Sequence, residues 1–256
     1  MTFKRLFAFG CSYTSYCPPT WADIISWDLN IPTQNWGLSG MGNVGIFHRI
    51  VECDLKNNFN EDDLIVILWS SWNREDRYTD RWATGGSVFN STYYSDDFVK
   101  KYWTMSNDII KNSTAIISAN KMFNVQFQGH IVPPYMDEDS RLLEFDEDET
   151  KILDLYKPHI PTDNVFYYNG NTEFNELFGD SHPDILEHLK YVKEVVYPSL
   201  NLTLKKETED FCYELHEELL KILNDNKHRS FEEKCVLMND FVCSWTSHEL
   251  IKRYIQ

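Results

Sequence analysis

A serine, a histidine and an aspartate in this chain have the types and neighbours that acyl transfer uses. Ser12 follows Gly10-Cys11 at the end of a short apolar run, Leu6-Phe7-Ala8-Phe9. A serine held where a strand stops and turns toward a helix projects its hydroxyl from the carboxyl edge of a sheet. Ligands bind at that edge in open α/β folds, and several hydrolases expose a nucleophile there. By itself the stretch Phe9 to Thr14 reads better as a glycine-serine turn that ends a strand, so Ser12 needs partners from elsewhere.

Acyl transfer needs a nucleophile, an imidazole to take its proton, a group to orient that imidazole, and donors for the oxyanion. Gly179-Asp180-Ser181-His182-Pro183 offers His182 as base and Asp180 as its orienting carboxylate. The glycine-rich turn Gly37-Leu38-Ser39-Gly40-Met41-Gly42-Asn43 can point backbone N–H groups at an anion. Its Gly40, the amide of Asn73 and the N–H of Ser12 are the candidate oxyanion donors. Asn43, Trp72 and Arg74 are the candidate substrate contacts. Each also has a plainer reading. Asn43 suits a turn, Trp72 suits a core or a pocket wall, and Arg74 suits a surface ion pair with Glu75 or Asp76. Alone, His182 reads as a capping or surface histidine, and His188 as exposed or half-buried. Asp180, His182, Asp184 and His188 lack ligand spacing specific to any metal, so neither metal nor cofactor is implied.

Those residues need elements to hold them. Residues 3–9 read as a strand, Trp21 to Leu29 as a helix after Pro18-Pro19-Thr20, and Gln34-Asn35-Trp36 as a short extended piece. A second helix is expected from Val44 to Lys56, then a buried parallel strand over Asp63 to Trp69, DLIVILW. Residues 78–95 read as a loop, Phe98 to Met122 as one helix, and Val125 to Ile131 as a strand. Asn164 to Tyr168 suits a short edge strand, followed by a polar loop to Gly179 and a helix from Asp184 to Val196 ended by Pro198. Two amphipathic helices, about 205–224 and 230–254, close the chain with no strand signal. Alternating strands and helices define an α/β, doubly wound parallel sheet with a helical C-terminal appendage. The expected division is an α/β body over 1–200, with 78–175 shaping the pocket, and a helical extension over 201–256. The loops after residues 9, 36, 69 and 178 then share one sheet edge.

At 256 residues with 42% hydrophobic and 15% aromatic content, the chain can bury a large core and is not of disordered type. No apolar run approaches the ~20 residues of a membrane span, and Met1 to Arg5 precede no signal-peptide core, which points to a cytoplasmic location. Lys and Arg number 24 against 40 Asp and Glu, a net charge of −16 that repels nucleic-acid backbones and anionic membranes. The acid gathers in Asp137 to Asp154 and the last fifty residues, as solvated faces. The six cysteines lack paired spacing and read as free thiols, with Cys11 a small filler beside Ser12.

In order and context, the four loops resemble the SGNH (GDSL-type) hydrolase family over roughly residues 3–76 and 176–198. Gly10-Cys11-Ser12 corresponds to the family's Gly-Asp-Ser-like block, and Asn35-Trp36-Gly37-Leu38-Ser39-Gly40 to its Asn-x-Gly-x-Ser-Gly block. Ser71-Trp72-Asn73-Arg74 corresponds to Gly-x-Asn-Asp, and Asp180-Ser181-His182-Pro183 to the Asp and His-Pro before the last helix. The resemblance implies a serine esterase using Ser12, His182 and Asp180 on an O-acyl ester, with an O-acetyl carbohydrate as one such substrate. Cys11, Ser71 and Arg74 depart from the family pattern, and Gly179 holds the place three before the histidine where the family has its aspartate. Asp180 lies two before it. Residues i and i+2 of an extended segment face the same side, which lets Asp180 reach Nδ1; otherwise a backbone carbonyl holds His182 and the site is a dyad. The short first block and helical C-terminus are similar to phage-encoded members of the superfamily. That leaves a degenerate carbohydrate-binding or virion-associated protein, and an O-acyltransferase, as alternatives.

Overall fold

The computed structural model describes residues 3–89, 93–134, 144–168, 170, 172–245 and 251–253. Five parallel strands form its sheet, in the order β6-β3-β1-β2-β7: β1 Arg5–Phe9, β2 Thr33–Asn35, β3 Asp63–Trp69, β6 Phe127–His130 and β7 Ile251–Arg253. A separate antiparallel hairpin pairs β4 Arg74–Tyr78 with β5 Trp82–Ser87. The helices are α1 Trp21–Leu29, α2 Asn43–Asn57, α3 Asp96–Tyr102, α4 Met105–Met122, α5 Glu147–Tyr156, α6 Glu173–Phe178 and α7 Ile185–Tyr191. A π-helical stretch Val192–Val196 leads from α7 into α8 Tyr197–Ser199, and α9 Lys206–Asp225 and α10 Phe231–Trp245 follow. None of the described helices is long and apolar enough to cross a membrane.

Side-chain alternation along the strands builds two cores. Leu6, Ala8, Leu64, Val66 and Leu68 point to one face, where α1, α7, α9 and α10 cover them. Phe7, Phe9, Ile65, Ile67 and Trp69 point to the other, under α2, α4 and α5. Because both faces are covered, every residue of β3 is buried, which is why its sequence is a continuous apolar run. The C-terminal helices share the first core through Cys212, Leu215, Leu219, Leu223, Met238 and Val242.

Strand order also locates the site. The chain leaves β1 through α1 on one face to reach β2, then returns through α2 on the opposite face to β3. Neighbouring strands β1 and β3 therefore send their outgoing loops apart, and the crevice between those loops is the topological switch point where ligands bind in such sheets.

Several elements differ from the sequence expectations. Part of the expected loop over 78–95 is the hairpin, which begins as early as Arg74. The helix expected from Phe98 to Met122 is broken at Trp103, which is extended, and Thr104 starts α4 by accepting a hydrogen bond from Asn107 N at 3.2 Å. Instead of an edge strand, Asn164 to Tyr168 makes a single parallel bridge between Val165 and His130. The polar loop before Gly179 contains α6, and the helix after Asp184 runs on through Pro198. Of the last expected helix, Phe231–Trp245 is described, as α10. Within its expected span Ile251–Arg253 form a strand, β7, that pairs with β2; residues 246–250 and 254 of that expectation lie outside the described residues. The acidic run from Asp137 also begins outside them, and its described end forms α5, whose first turn is capped by Asp146.

Candidate active site

Ser12 stands in the turn that leaves β1. The turn is closed by hydrogen bonds from Thr14 N and Ser15 N to Cys11 O, at 3.0 and 3.2 Å. Position 10 must be glycine because a Cβ there would lie 2.8 Å from Leu68 O and collide with the Thr14 side chain. Asn35 ties this turn to the next loop: its Nδ2 donates to Thr14 O at 2.6 Å, and its Oδ1 accepts from Gly37 N at 3.0 Å.

His182 bridges the two ends of the constellation. Ser12 Oγ donates to His182 Nε2 at 2.7 Å, and His182 Nδ1 donates to Asp180 Oδ2 at 2.8 Å. Ser12 is only 4% exposed, while the His182 and Asp180 side chains keep 25% and 20% of their surface. The acid beside His182 falls at 180 and not at 179 for a local reason. Gly179 ends α6 in the left-handed conformation, φ 83°, which favours glycine over aspartate. The chain then runs on so that residues 180 and 182 face the same way.

Two residues absent from the sequence reading hold this loop. Asn175, in α6, donates its Nδ2 to both Asp180 O and His182 O, at 2.8 and 2.7 Å, pinning the backbone on either side of Ser181. The ring of Tyr16 stacks on His182 with centroids 4.0 Å apart and planes 20° apart, and its hydroxyl donates to Asp180 Oδ2. Tyr13 meets the His182 ring edge-on, with centroids 5.6 Å apart. The cue for Tyr16 was its position four residues beyond Ser12, inside the same tight turn. Partial burial alone would raise the Asp180 pKa. Hydrogen bonds from His182, Tyr16 and Ser181 N outweigh it and leave the carboxyl below its ordinary range. Burial raises the pKa of the Tyr16 hydroxyl, and its bond to Asp180 adds to that, so Tyr16 is a donor.

Gly40 and Asn73 are brought together by the hairpin. Gly40, at φ 75°, accepts from Gly86 N through its carbonyl at 3.2 Å. Asn73 accepts from Val88 N at 2.8 Å through its carbonyl and donates one Nδ2 hydrogen to Ser87 Oγ at 3.1 Å. Asp76 anchors the hairpin to the start of α2, where Gly42 N and Gly45 N donate to it at 3.0 and 3.1 Å. Burial pushes its carboxyl up to about 6 despite those amides.

Two residues expected at the substrate are buried. Asn43 is buried, and its amide is occupied: Nδ2 donates to Ser70 O and Asn112 Oδ1, and Oδ1 accepts from Ser70 N at 2.7 Å. It latches α2 to the exit of β3 and to α4. Trp72 is 5% exposed and belongs to the core under α2 and α4. His188 is buried rather than exposed; desolvation, with the nearby His182, pushes its pKa down to about 3. Arg74 does face a cleft, of about 310 Å³, lined also by Tyr13, Ser71, Pro133, Phe166 and Tyr168.

No family model matches the chain, and no curated protein matches it in sequence. Solved structures similar to it include a member of the lipolytic protein G-D-S-L family from Veillonella parvula, at 14% identity and a TM-score of 0.38, covering 73% of this chain and 93% of that one. A GDSL-like lipase from Bacteroides thetaiotaomicron has 14% identity and a TM-score of 0.40, covering 77% and 88%. A catalytic mutant of an acetylxylan esterase from Geobacillus stearothermophilus has 14% identity and a TM-score of 0.39, covering 79% and 97%.

Proposed function

We propose that this protein is a serine ester hydrolase of the SGNH type, with Ser12, His182 and Asp180 as its catalytic triad. The observation that carries the reading is the single imidazole hydrogen-bonded to the serine hydroxyl on one nitrogen and to a carboxylate on the other. In this reading His182 Nε2 takes the proton as Ser12 Oγ bonds to the ester carbonyl carbon. The N–H groups of Ser12 and Gly40 and the free hydrogen of Asn73 Nδ2 receive the oxyanion. His182 returns the proton to the leaving alcohol as the C–O bond breaks. Water then cleaves the acyl-enzyme with His182 again as base, releasing the acid and restoring Ser12. Asp180, ionised and triply hydrogen-bonded, fixes the tautomer and steadies the imidazolium. The aromatic cleft beside Tyr13 suits a sugar ring, which supports an O-acylated carbohydrate as substrate class.

A small activated acetyl ester tests this. Turnover is expected in the wild type and in Cys11→Ala, with a loss on the order of 10⁶-fold in Ser12→Ala, and a fluorophosphonate should label Ser12. Equal turnover in wild type and Ser12→Ala would sink the reading, and absence of labelling together with glycan binding would favour a degenerate binding protein.

A further inference from the structure

We infer that the cleft beside the triad is built for a carboxylate on the ester substrate, with Arg74 as the residue that selects it; this rests on the hydrolase reading above. Arg74 opens β4, at the exit of the switch-point loop, and lines the cleft with Ser71 and Tyr13. Tyr13 in turn touches His182, so the cleft adjoins the triad.

The ordinary fate of such an arginine is a surface ion pair, and here its two acidic neighbours are engaged elsewhere. Glu75 pairs with Lys111, and Asp76 accepts from the amides of Gly42 and Gly45. Among the described residues no carboxylate lies within ion-pair distance of Arg74. Its guanidinium makes one long hydrogen bond, Nη1 to Met41 O at 3.4 Å, and its buried Nε has no hydrogen-bond partner among the described residues. In a chain of net charge −16, a guanidinium with no carboxylate in ion-pair contact, Asp76 acting on it only through space, is conspicuous.

A second, independent feature points to the same ligand. Ser71 is 4% exposed and lines the same cleft, and its Oγ has no hydrogen-bond partner among the described residues. Buried donors without partners are costly, and an oxygen anion in the cleft would neutralise the guanidinium and give the Ser71 hydroxyl an acceptor once that side chain turns toward it. The backbone around Arg74 is fixed: Lys111 Nζ donates to Arg74 O at 3.3 Å, and Gly42 lacks the Cβ that would lie 2.8 Å from the Arg74 Cβ. One fork-shaped monocation and one hydroxyl match a planar monoanion in charge and geometry, whereas a phosphate dianion would keep an uncompensated charge inside an acidic protein.

The test compares matched esters, one with the carboxylate on the alcohol side (3-acetoxybenzoate against phenyl acetate) and one with it on the acyl side (monophenyl adipate against phenyl hexanoate). The wild type should prefer the carboxylated member of at least one pair, and the pair tells which side of the ester occupies the cleft. In Arg74→Gln the ratio of kcat/KM values, carboxylated over neutral, should fall about tenfold or more, and Arg74→Lys should fall between, since it keeps the charge and loses the fork. No preference in either pair, or a ratio unchanged in Arg74→Gln, overturns the inference. Calorimetric binding of benzoate to Ser12→Ala, with and without Arg74→Gln, separates the two claims. Arg74-dependent binding without any ester turnover would remove the hydrolase reading and leave the carboxylate site. Turnover with no ester preference and no benzoate binding would do the reverse.

Discussion

The two walls of the crevice between β1 and β3 differ in how their polar groups are paired. On the β1 side every working group has its partner: Ser12 with His182, His182 with Asp180, and Asp180 with Tyr16 and Ser181 N as well. On the β3 side the Ser71 hydroxyl and the Arg74 Nε are buried and lack hydrogen-bond partners among the described residues. A buried network that is closed on itself is rigid and pre-organised, as general acid–base chemistry requires. An open one keeps desolvated donors in store for a ligand, at a cost to the free protein. On the proposed reading one wall reacts and the other recognises.

The sharpest way to break that contrast is at Asp180. Asp180→Asn keeps the shape of the closed wall but offers His182 Nδ1 a group that can no longer stabilise an imidazolium. On the proposed mechanism kcat should fall about 10⁴-fold, far more than the modest loss of stability from removing a hydrogen-bonded carboxylate accounts for. Steady-state kinetics on an activated ester reads this directly. A change under tenfold would mean that His182 does not need its carboxylate and that the closed wall is structural.

Tyr16 grades the same wall more finely. Tyr16→Phe removes the hydroxyl bonded to Asp180 but keeps the ring stacked on His182, whereas Tyr16→Leu removes both. The hydroxyl is one of the donors holding the Asp180 pKa down. A depressed carboxyl adds stability above its unfolded pKa and loses it as the pH falls through the folded value. Without the hydroxyl the folded value moves up, so the Asp180 contribution is lost at a higher pH. A carbon NMR titration of the Asp180 carboxyl should show that upward move in Tyr16→Phe, and kcat/KM should drop about three- to tenfold. An unmoved carboxyl would assign Tyr16 to packing alone.

These residues also mark where the sequence was legible. The pairing of Ser12 with His182 could be anticipated because glycine, serine and His-Pro punctuate the ends of strong apolar strands, and strand ends fall at one sheet edge. The hairpin escaped because REDRY and WATGGS carry no apolar alternation; apart from the desolvated Asp76 carboxyl their residues are half-buried or exposed, and the pair is held by Asp76 on α2 and by Gly86 on Gly40. The break at Trp103 was hidden by apolar residues on both sides of it, although Thr104 is a usual capping type. Three residues of β7 are too few to show a period, and only β2 makes them a strand. Asn43 and Trp72 share a difficulty: a polar or aromatic residue in a site loop looks like a ligand contact until its burial and its neighbours are known. What sequence cannot supply is which side chains have already used their hydrogen bonds.

That distinction yields the smallest and most specific expectation. Asn43 and Ser71 are both buried polar residues beside the end of β3, 1% and 4% exposed. Asn43→Ala deletes three hydrogen bonds and strands Ser70 N, Ser70 O and Asn112 Oδ1 in the interior, so unfolding free energy should fall by about 3 kcal/mol. Ser71→Ala deletes a hydroxyl with no hydrogen-bond partner among the described residues, so the folded protein loses no such bond and is relieved of a desolvated donor. Its stability should be unchanged or up to about 1 kcal/mol higher. Urea unfolding of the two variants measures both. Equal losses would mean that the Ser71 hydroxyl is bonded within the fold just as the Asn43 amide is, and the β3 wall would then be closed like its counterpart rather than held open for a carboxylate.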